Sequence, residues 1–106
     1  MYGAGASGIS AYELLTEKGA RAIVYDDDPS RERATSSTGV FKDADLIVLS
    51  PGVDPNKDFL LDARLENKTV TSELNLASSV CLAEQIAVTG TNGKTTTTLL
   101  IDHILK

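Results

Sequence analysis

The chain has few of the residues that mark disulfide-rich, membrane-spanning or nucleic-acid-binding proteins. Its single cysteine, Cys81, excludes a disulfide within the chain, and the apolar segment around it predicts a small core residue rather than a nucleophile. No run approaches the roughly 20 apolar residues of a membrane span. The net charge is −5 and no basic run is present, which argues against nucleic acid or an anionic membrane as a partner. We therefore expect a cytoplasmic protein without nucleic-acid binding or membrane insertion.

Apolar segments of strand and helix type alternate along the 106 residues, a length that suits one hydrophobic core. The predicted strands are residues 21–25, 44–49, 69–71 and 86–88, and the predicted helices are residues 9–18, 59–66, 73–82 and a last one from Lys94 onward. Residues 29–42 are polar and lack periodicity, so they are interpreted as a loop or a truncated helix. This alternation predicts an α/β fold with a mainly parallel sheet.

A glycine-rich segment opens the chain. Residues 3–8, Gly-Ala-Gly-Ala-Ser-Gly, match the G-x-G-x-x-G pattern, and Gly19 can end the following helix in the left-handed conformation. Asp26 follows the next predicted strand, about twenty residues after the glycines, where a Rossmann fold places its ribose-binding carboxylate. From these residues two interpretations stay open, an NAD-type dinucleotide-binding module and a glycine turn without a ligand.

A second glycine-rich segment, Thr-Gly-Thr-Asn-Gly-Lys-Thr-Thr at residues 89–96, has the parts of a triphosphate-binding loop. Glycine N–H groups can face phosphate oxygens, Lys94 adds a positive charge, and the Thr95 hydroxyl can reach Mg²⁺. The general P-loop pattern would require a glycine at Val88, so this loop is two residues tighter. A hairpin turn at Asn92-Gly93 is the alternative, but the apolar spacing at 100, 101, 104 and 105 favours strand, turn and helix.

Residues 88–96, Val-Thr-Gly-Thr-Asn-Gly-Lys-Thr-Thr, resemble the ATP-binding signature of the Mur ligase superfamily, which includes folylpolyglutamate synthases. Residues 45–53, Asp-Leu-Ile-Val-Leu-Ser-Pro-Gly-Val, resemble a strand and turn of the branch that adds D-glutamate. The resemblance implies a Rossmann-like UDP-substrate-binding domain at residues 1–84. Residues 85–106 would then be the first strand, P-loop and helix of the ATP-binding domain. Another Mur-type ligase, a folylpolyglutamate synthase and an NAD-type module remain alternatives.

The resemblance also implies an activity, the ATP-dependent joining of D-glutamate to UDP-N-acetylmuramoyl-L-alanine through an acyl phosphate, in peptidoglycan precursor synthesis. By the same resemblance, Ser7 would contact the diphosphate of the substrate. Asp26 with Asp27 would lie beside the uracil, and Ser50 would line the substrate channel.

ATP and Mg²⁺ are the implied cofactors. The implied ATP-binding residues are Gly90, Thr91, Asn92, Gly93, Lys94, Thr95 and Thr96. Among them Lys94 would be catalytic, by stabilising phosphate charge, and Thr95 would be a Mg²⁺ ligand. Because the resemblance implies a longer, three-domain enzyme, we expect this chain to be an inactive fragment, with residues 85–106 less well ordered than residues 1–84 and their apolar stripe exposed.

Overall fold

The computed structural model describes all 106 residues and confirms an α/β arrangement of helices and parallel strands. The elements in chain order are α1 (Ala6–Glu17), β1 (Val24–Tyr25), β2 (Ala34–Thr35), a 3₁₀ helix (Thr38–Phe41), β3 (Leu46–Leu49), α2 (Asp58–Leu65), β4 (Thr69–Ser72), α3 (Glu73–Val80) and α4 (Lys94–Leu105). None of the helices combines the length and the apolar character needed to cross a membrane.

The strands form two parallel pairs that Tyr2 connects. β1 pairs with β2, and β3 pairs with β4, both in parallel. Tyr2 makes parallel bridges to Tyr25 of β1 and to Leu49 of β3, so it lies between the two pairs. The order across the sheet is therefore β2, β1, Tyr2, β3, β4, and all the carboxyl ends lie at the same edge.

The core lies where α2 and the 3₁₀ helix pack on the sheet. Its buried side chains are Tyr2, Tyr25, Phe41, Ile47, Leu60 and Ala63. The rings of Tyr2 and Tyr25 meet edge to face at 4.8 Å, and Phe41 stacks on Phe59 at 4.6 Å. Aromatic pairs of this geometry add to the gain from area burial, so these rings fix α2 against the strands.

Two glycines of the first glycine-rich segment, Gly3 and Gly8, are required by close contacts. Gly3 has a φ of +112°, and a Cβ there would lie 2.4 Å from Ser50 Oγ. A Cβ on Gly8 would lie 1.9 Å from the carbonyl oxygen of Gly3, so α1 packs directly on the chain that precedes it. α1 begins at Ala6 rather than at residue 9, and Gly19 follows it with a φ of +86°, the left-handed conformation that the sequence predicts.

The short strands differ most from the sequence prediction. β1 contains only Val24 and Tyr25, although residues 21–25 were expected to be extended. β2, Ala34–Thr35, and the 3₁₀ helix lie in the region interpreted as a loop or truncated helix. A two-residue strand leaves no periodic pattern in the sequence, because it is defined only by its pairing with a distant neighbour.

The last part of the chain corrects one prediction and rejects one alternative. Residues 86–88 form no strand, because no other strand lies beside them to pair with their N–H and C=O groups. The hairpin alternative is wrong, since no paired strands flank Asn92, and α4 begins at Lys94 as the helical spacing predicts.

Residues 85–106 contribute nothing to the core. α4 has no buried residue, and Leu100 and Ile104 are 56% and 76% exposed, as expected for the unpartnered apolar stripe. Cys81, predicted to be a core residue, is exposed. It follows the last residue of α3, a helix without a single buried residue, so there is no core at that point for the thiol to enter.

Candidate functional site

A cavity of about 480 Å³ lies at the carboxyl edge of the sheet. It contains all four residues that the resemblance assigns to the UDP substrate, Ser7, Asp26, Asp27 and Ser50. Gly3 and Ser50 follow neighbouring positions in the sheet, Tyr2 and β3, so the first glycine turn and the turn after β3 lie side by side at this cavity. The tertiary structure therefore brings together residues that are up to about forty positions apart in the sequence.

A larger cavity, of about 690 Å³, lies where the strands begin. Its lining is mostly apolar, includes Met1, Ile23 and Leu46, and contains none of the predicted site residues. Size alone would select this cavity, but the smaller one has the converging polar groups that ligand sites require.

The N-terminus of α1 opens into the smaller cavity through Gly5 and Ser7. Gly5 precedes the helix, and no side chain caps the first turn. The first N–H groups of a helix have no partner within it, and the helix dipole favours an anion at this end. A Cβ on Gly5 would meet no atom within 4 Å, so the chain is not crowded at the residue that precedes the helix.

Asp26 holds the first glycine turn in place. Its Oδ2 accepts a hydrogen bond from the Ala4 amide at 2.7 Å, and its Oδ1 accepts one from the Asp28 amide at 3.0 Å. The carboxylate thus joins the backbone of the first glycine turn to the backbone after β1. The carboxylate fixes the turn that precedes α1, as well as lining the cavity.

Asp27 has side-chain partners instead. Its Oδ2 accepts hydrogen bonds from Tyr2 Oη at 2.6 Å and from Lys57 Nζ, and its Oδ1 accepts one from Tyr25 Oη at 3.0 Å. These bonds, led by the one from Lys57, lower the pKa of Asp27, and the same contact raises the pKa of Lys57. Asp27 and Lys57 are therefore both charged at neutral pH.

Burial is the main reason that the pKa values of Tyr2 and Tyr25 are raised, and their hydrogen bonds to Asp27 add to it. Both phenols therefore stay protonated and donate to the carboxylate. The sequence did not predict these two tyrosines and Lys57 as site residues, because the partners of Asp27 come from other parts of the chain and no local pattern connects them. Only Tyr2 had a signal in the sequence, because it is an aromatic residue directly before the first glycine of the glycine-rich segment.

Ser50 connects the turn after β3 to α3. Its Oγ donates a hydrogen bond to Oε1 of Glu73, and its backbone N–H donates to the Tyr2 carbonyl at 2.9 Å. Glu73 is the first residue of α3, and the preceding Ser72 caps that helix by accepting from the Asn75 amide at 3.2 Å. Glu73 is thus a second contact that sequence reasoning did not find.

The predicted ATP-binding residues lie apart from this cavity. Gly90 and Gly93 have φ values of +145° and +80°, and Gly93 leads directly into α4. Lys94 Nζ donates a 2.6 Å hydrogen bond to the Gly90 carbonyl, so the lysine folds over its own loop. Residues 90–96 are exposed and line neither cavity described above.

This loop offers few ligands for a metal ion. Thr95 supplies one hydroxyl, and no group of three or more His, Cys, Asp or Glu side chains in the chain could hold a metal ion. A single hydroxyl fits Mg²⁺ only as one ligand among phosphate oxygens and waters, which is how Mg²⁺ is held in nucleotide sites.

Comparison with known proteins confirms the resemblance to the Mur ligases over nearly the whole chain. The relatives are named UDP-N-acetylmuramoylalanine–D-glutamate ligase. The protein of Lachnoclostridium phytofermentans is 35% identical over 98% of this chain, that of Aquifex aeolicus 39% over 100%, and that of Rickettsia conorii 41% over 99%. No family model matches the chain, and no solved structure matches it.

The chain spans about a quarter of the length of these relatives, with 27%, 25% and 23% of the three proteins covered. The likeness therefore concerns one region of a larger enzyme.

Proposed function

We propose that this chain carries the UDP-substrate site of an ATP-dependent ligase that joins D-glutamate to UDP-N-acetylmuramoyl-L-alanine. The observation that carries the proposal is the cavity that gathers Ser7, Asp26, Asp27 and Ser50 at the carboxyl edge of the sheet. The names of the relatives, at 35–41% identity, supply the reaction.

The order of the strands supports a Rossmann-like substrate domain at residues 1–84. Chain connections from Tyr2 lead to β1 on one side and later to β3 on the other, so the strand order reverses between them. In open α/β sheets, ligands bind at the carboxyl ends of the strands at such a reversal. The cavity lies at this position, and the N-terminus of α1 faces it as a phosphate-binding turn would.

The proposal gives a role to the start of α1 and to each of the four predicted residues of the cavity. The amides at the start of α1 and the Ser7 hydroxyl bind the diphosphate, because they present donors to an anion. Asp27 accepts hydrogen bonds from the uracil, while Asp26 keeps the glycine turn in position through the Ala4 amide. Ser50, beside the first glycine turn, contacts the part of the substrate that leads toward the reacting carboxylate.

Residues 85–106 would contribute the beginning of an ATP-binding domain. The substrate carboxylate would take the γ-phosphoryl group of ATP with release of ADP, and the amine of D-glutamate would then attack the acyl phosphate, with release of phosphate, to give the amide. Lys94 would leave the Gly90 carbonyl and neutralise phosphate charge, and the amides of Asn92 and Gly93 would line the phosphates. Thr95 would offer its hydroxyl to Mg²⁺. The location we propose is the cytoplasm.

Titration of the chain with UDP, NAD and ATP, followed by amide chemical shifts, tests the proposal. UDP is expected to shift the amides of Gly5 and Ser7 and those after β1, with Ser7→Ala weakening UDP binding. Ser10→Ala is the matched control, since Ser10 lies on α1 outside the cavity. Binding of NAD without binding of UDP would reject the UDP-substrate site.

A further inference from the structure

We infer that Lys57 is a specificity-determining residue of this site, which exchanges its bond to Asp27 for a bond to the diphosphate of the bound nucleotide. The inference rests on the proposed function, because it adds Lys57 to the residues that would bind the diphosphate of the same ligand. It is carried by the charges and contacts of the cavity.

The cavity has an unfavourable charge for an anionic ligand. Three carboxylates line it, those of Asp26, Asp27 and Asp54, and Lys57 is the only cationic side chain among the lining residues. The dipole of α1 supplies a partial positive charge, equivalent to roughly half a unit, at one wall. A diphosphate that enters this space therefore needs Lys57 for neutralisation, or it faces the carboxylates without a full positive charge nearby.

Lys57 is placed so that it can change partners. It is the residue before α2, its side chain is one-third exposed, and its Nζ lies 5.4 Å from the centre of the Tyr2 ring. The ammonium has three donors, and one of them is bonded to Asp27. When Lys57 leaves, Asp27 keeps the two tyrosine hydroxyls, so the carboxylate does not lose all its partners.

The exchange also affects the diphosphate and the nucleoside of the ligand differently. A bond between Lys57 and phosphate adds affinity for nucleotides with a diphosphate and none for the nucleoside. The same movement frees one acceptor position on Asp27 Oδ2, which keeps its bond from Tyr2, for a donor on the base. Discrimination between UDP and uridine is thus the property that reports on Lys57, since a purely structural role would affect both ligands alike.

The test compares binding of UDP, uridine and inorganic pyrophosphate to the wild-type chain, Lys57→Met and Lys57→Arg by calorimetry at low salt. Lys57→Met is expected to lower the affinity for UDP and pyrophosphate by about tenfold or more, the size of a lost charge-assisted hydrogen bond, with no loss of uridine binding. Lys57→Arg should keep most of the UDP affinity. Lys18→Met is the control, as it removes an exposed cation beyond the far end of α1.

A second comparison tests the exchange itself with pyrophosphate as the probe. Asp27→Asn and Asp54→Asn each remove one negative charge from the cavity, but only Asp27→Asn releases Lys57. Pyrophosphate should therefore bind more tightly to Asp27→Asn than to Asp54→Asn. Equal gains in the two variants would reject the exchange, because the effect would then be one of net charge.

The remaining outcomes separate this inference from the proposed function. If UDP binds the wild-type chain and Lys57→Met leaves that binding unchanged, or weakens UDP and uridine equally, the inference is wrong and the proposed site stands. If the wild-type chain binds neither UDP nor pyrophosphate, both are wrong.

Discussion

At the scale of single residues, the neighbouring carboxylates of Asp26 and Asp27 have different partners and therefore different roles. Asp26 is bonded to two backbone amides and fixes a turn, whereas Asp27 is bonded to the side chains of Tyr2, Tyr25 and Lys57. From the sequence, both were predicted to lie beside the ligand, because both are aspartates that follow the same predicted strand. Only the direction of each side chain distinguishes them, and this depends on residues elsewhere in the chain.

The lowered pKa of Asp27 predicts an acid dependence of stability. A carboxyl group whose folded-state pKa lies below its ordinary value of 3.8 stabilises the fold above that value, and this contribution is lost as pH falls through the folded pKa. Asp27→Asn should therefore lower the free energy of unfolding at about pH 5 by up to about 1 kcal/mol, the range for an exposed ion pair, and by less at about pH 2.5. Urea unfolding at the two pH values measures the difference.

Asp62→Asn is the matched control for this experiment. Asp62 is an exposed carboxylate on α2 whose side chain makes no hydrogen bond or ion pair, so its removal should leave the acid dependence as in the wild type. An Asp27→Asn chain that lost stability between the two pH values as steeply as the Asp62→Asn chain would contradict the assignment.

At the scale of elements, the packing of α1 depends on a glycine rather than on an apolar face. α1 buries only Gly8 and Ala11, and the close approach of Gly8 to the Gly3 carbonyl sets the distance between the helix and the sheet. This close approach also places the N-terminus of α1 at the cavity. The third glycine of the pattern therefore serves packing, while Gly5 leaves space for a ligand.

We expect Gly8→Ala to lower the free energy of unfolding by about 1–3 kcal/mol, the usual range for overpacking, because its Cβ would overlap the Gly3 carbonyl. Gly52→Ala should change stability by less than about 0.5 kcal/mol, since a Cβ there meets no atom within 4 Å. Thermal and urea unfolding of both variants measure the two effects. Equal stability of the variants would mean that α1 is not packed at this distance.

The elements also differ in how well the sequence predicts them. Helices α1, α2 and α4 have apolar residues at helical spacing, and their predicted and observed bounds differ by a few residues at most. β2 was missed, and the strand at 86–88 was wrongly predicted from an apolar run. A strand exists only through hydrogen bonds to a neighbour, so composition cannot decide whether one forms.

At the scale of the whole molecule, residues 1–84 contain every buried residue, and residues 85–106 contain none. α4 is a helix of 12 residues with exposed apolar side chains, and helices of this length are marginal in water without tertiary contacts. The stability of the sheet should therefore not depend on the second part of the chain.

Deletion of residues 85–106 is expected to leave the amide protection of β3 unchanged, because the neighbours of β3 are all retained. In the full chain, the amides of α4 should exchange much faster than those of Ile47 and Val48. Hydrogen exchange followed by NMR measures both. Deletion from residue 67 onward is the control, as it removes β4, and β3 should then lose protection.

Protection of α4 equal to that of β3 in the full chain would contradict this division. So would a loss of β3 protection in the chain that ends at residue 84.

The sequence by itself determined the α/β class, the left-handed Gly19, the helix after the second glycine turn and the likeness to the Mur ligases, because each depends on local spacing or on a short motif. The tertiary structure decided which side chains meet. It placed Tyr2 between β1 and β3, joined Lys57 to Asp27, and brought Ser7 and Ser50 to one cavity. These contacts join residues far apart in the chain, and their geometry follows from how strands pair and helices pack, which no local pattern records.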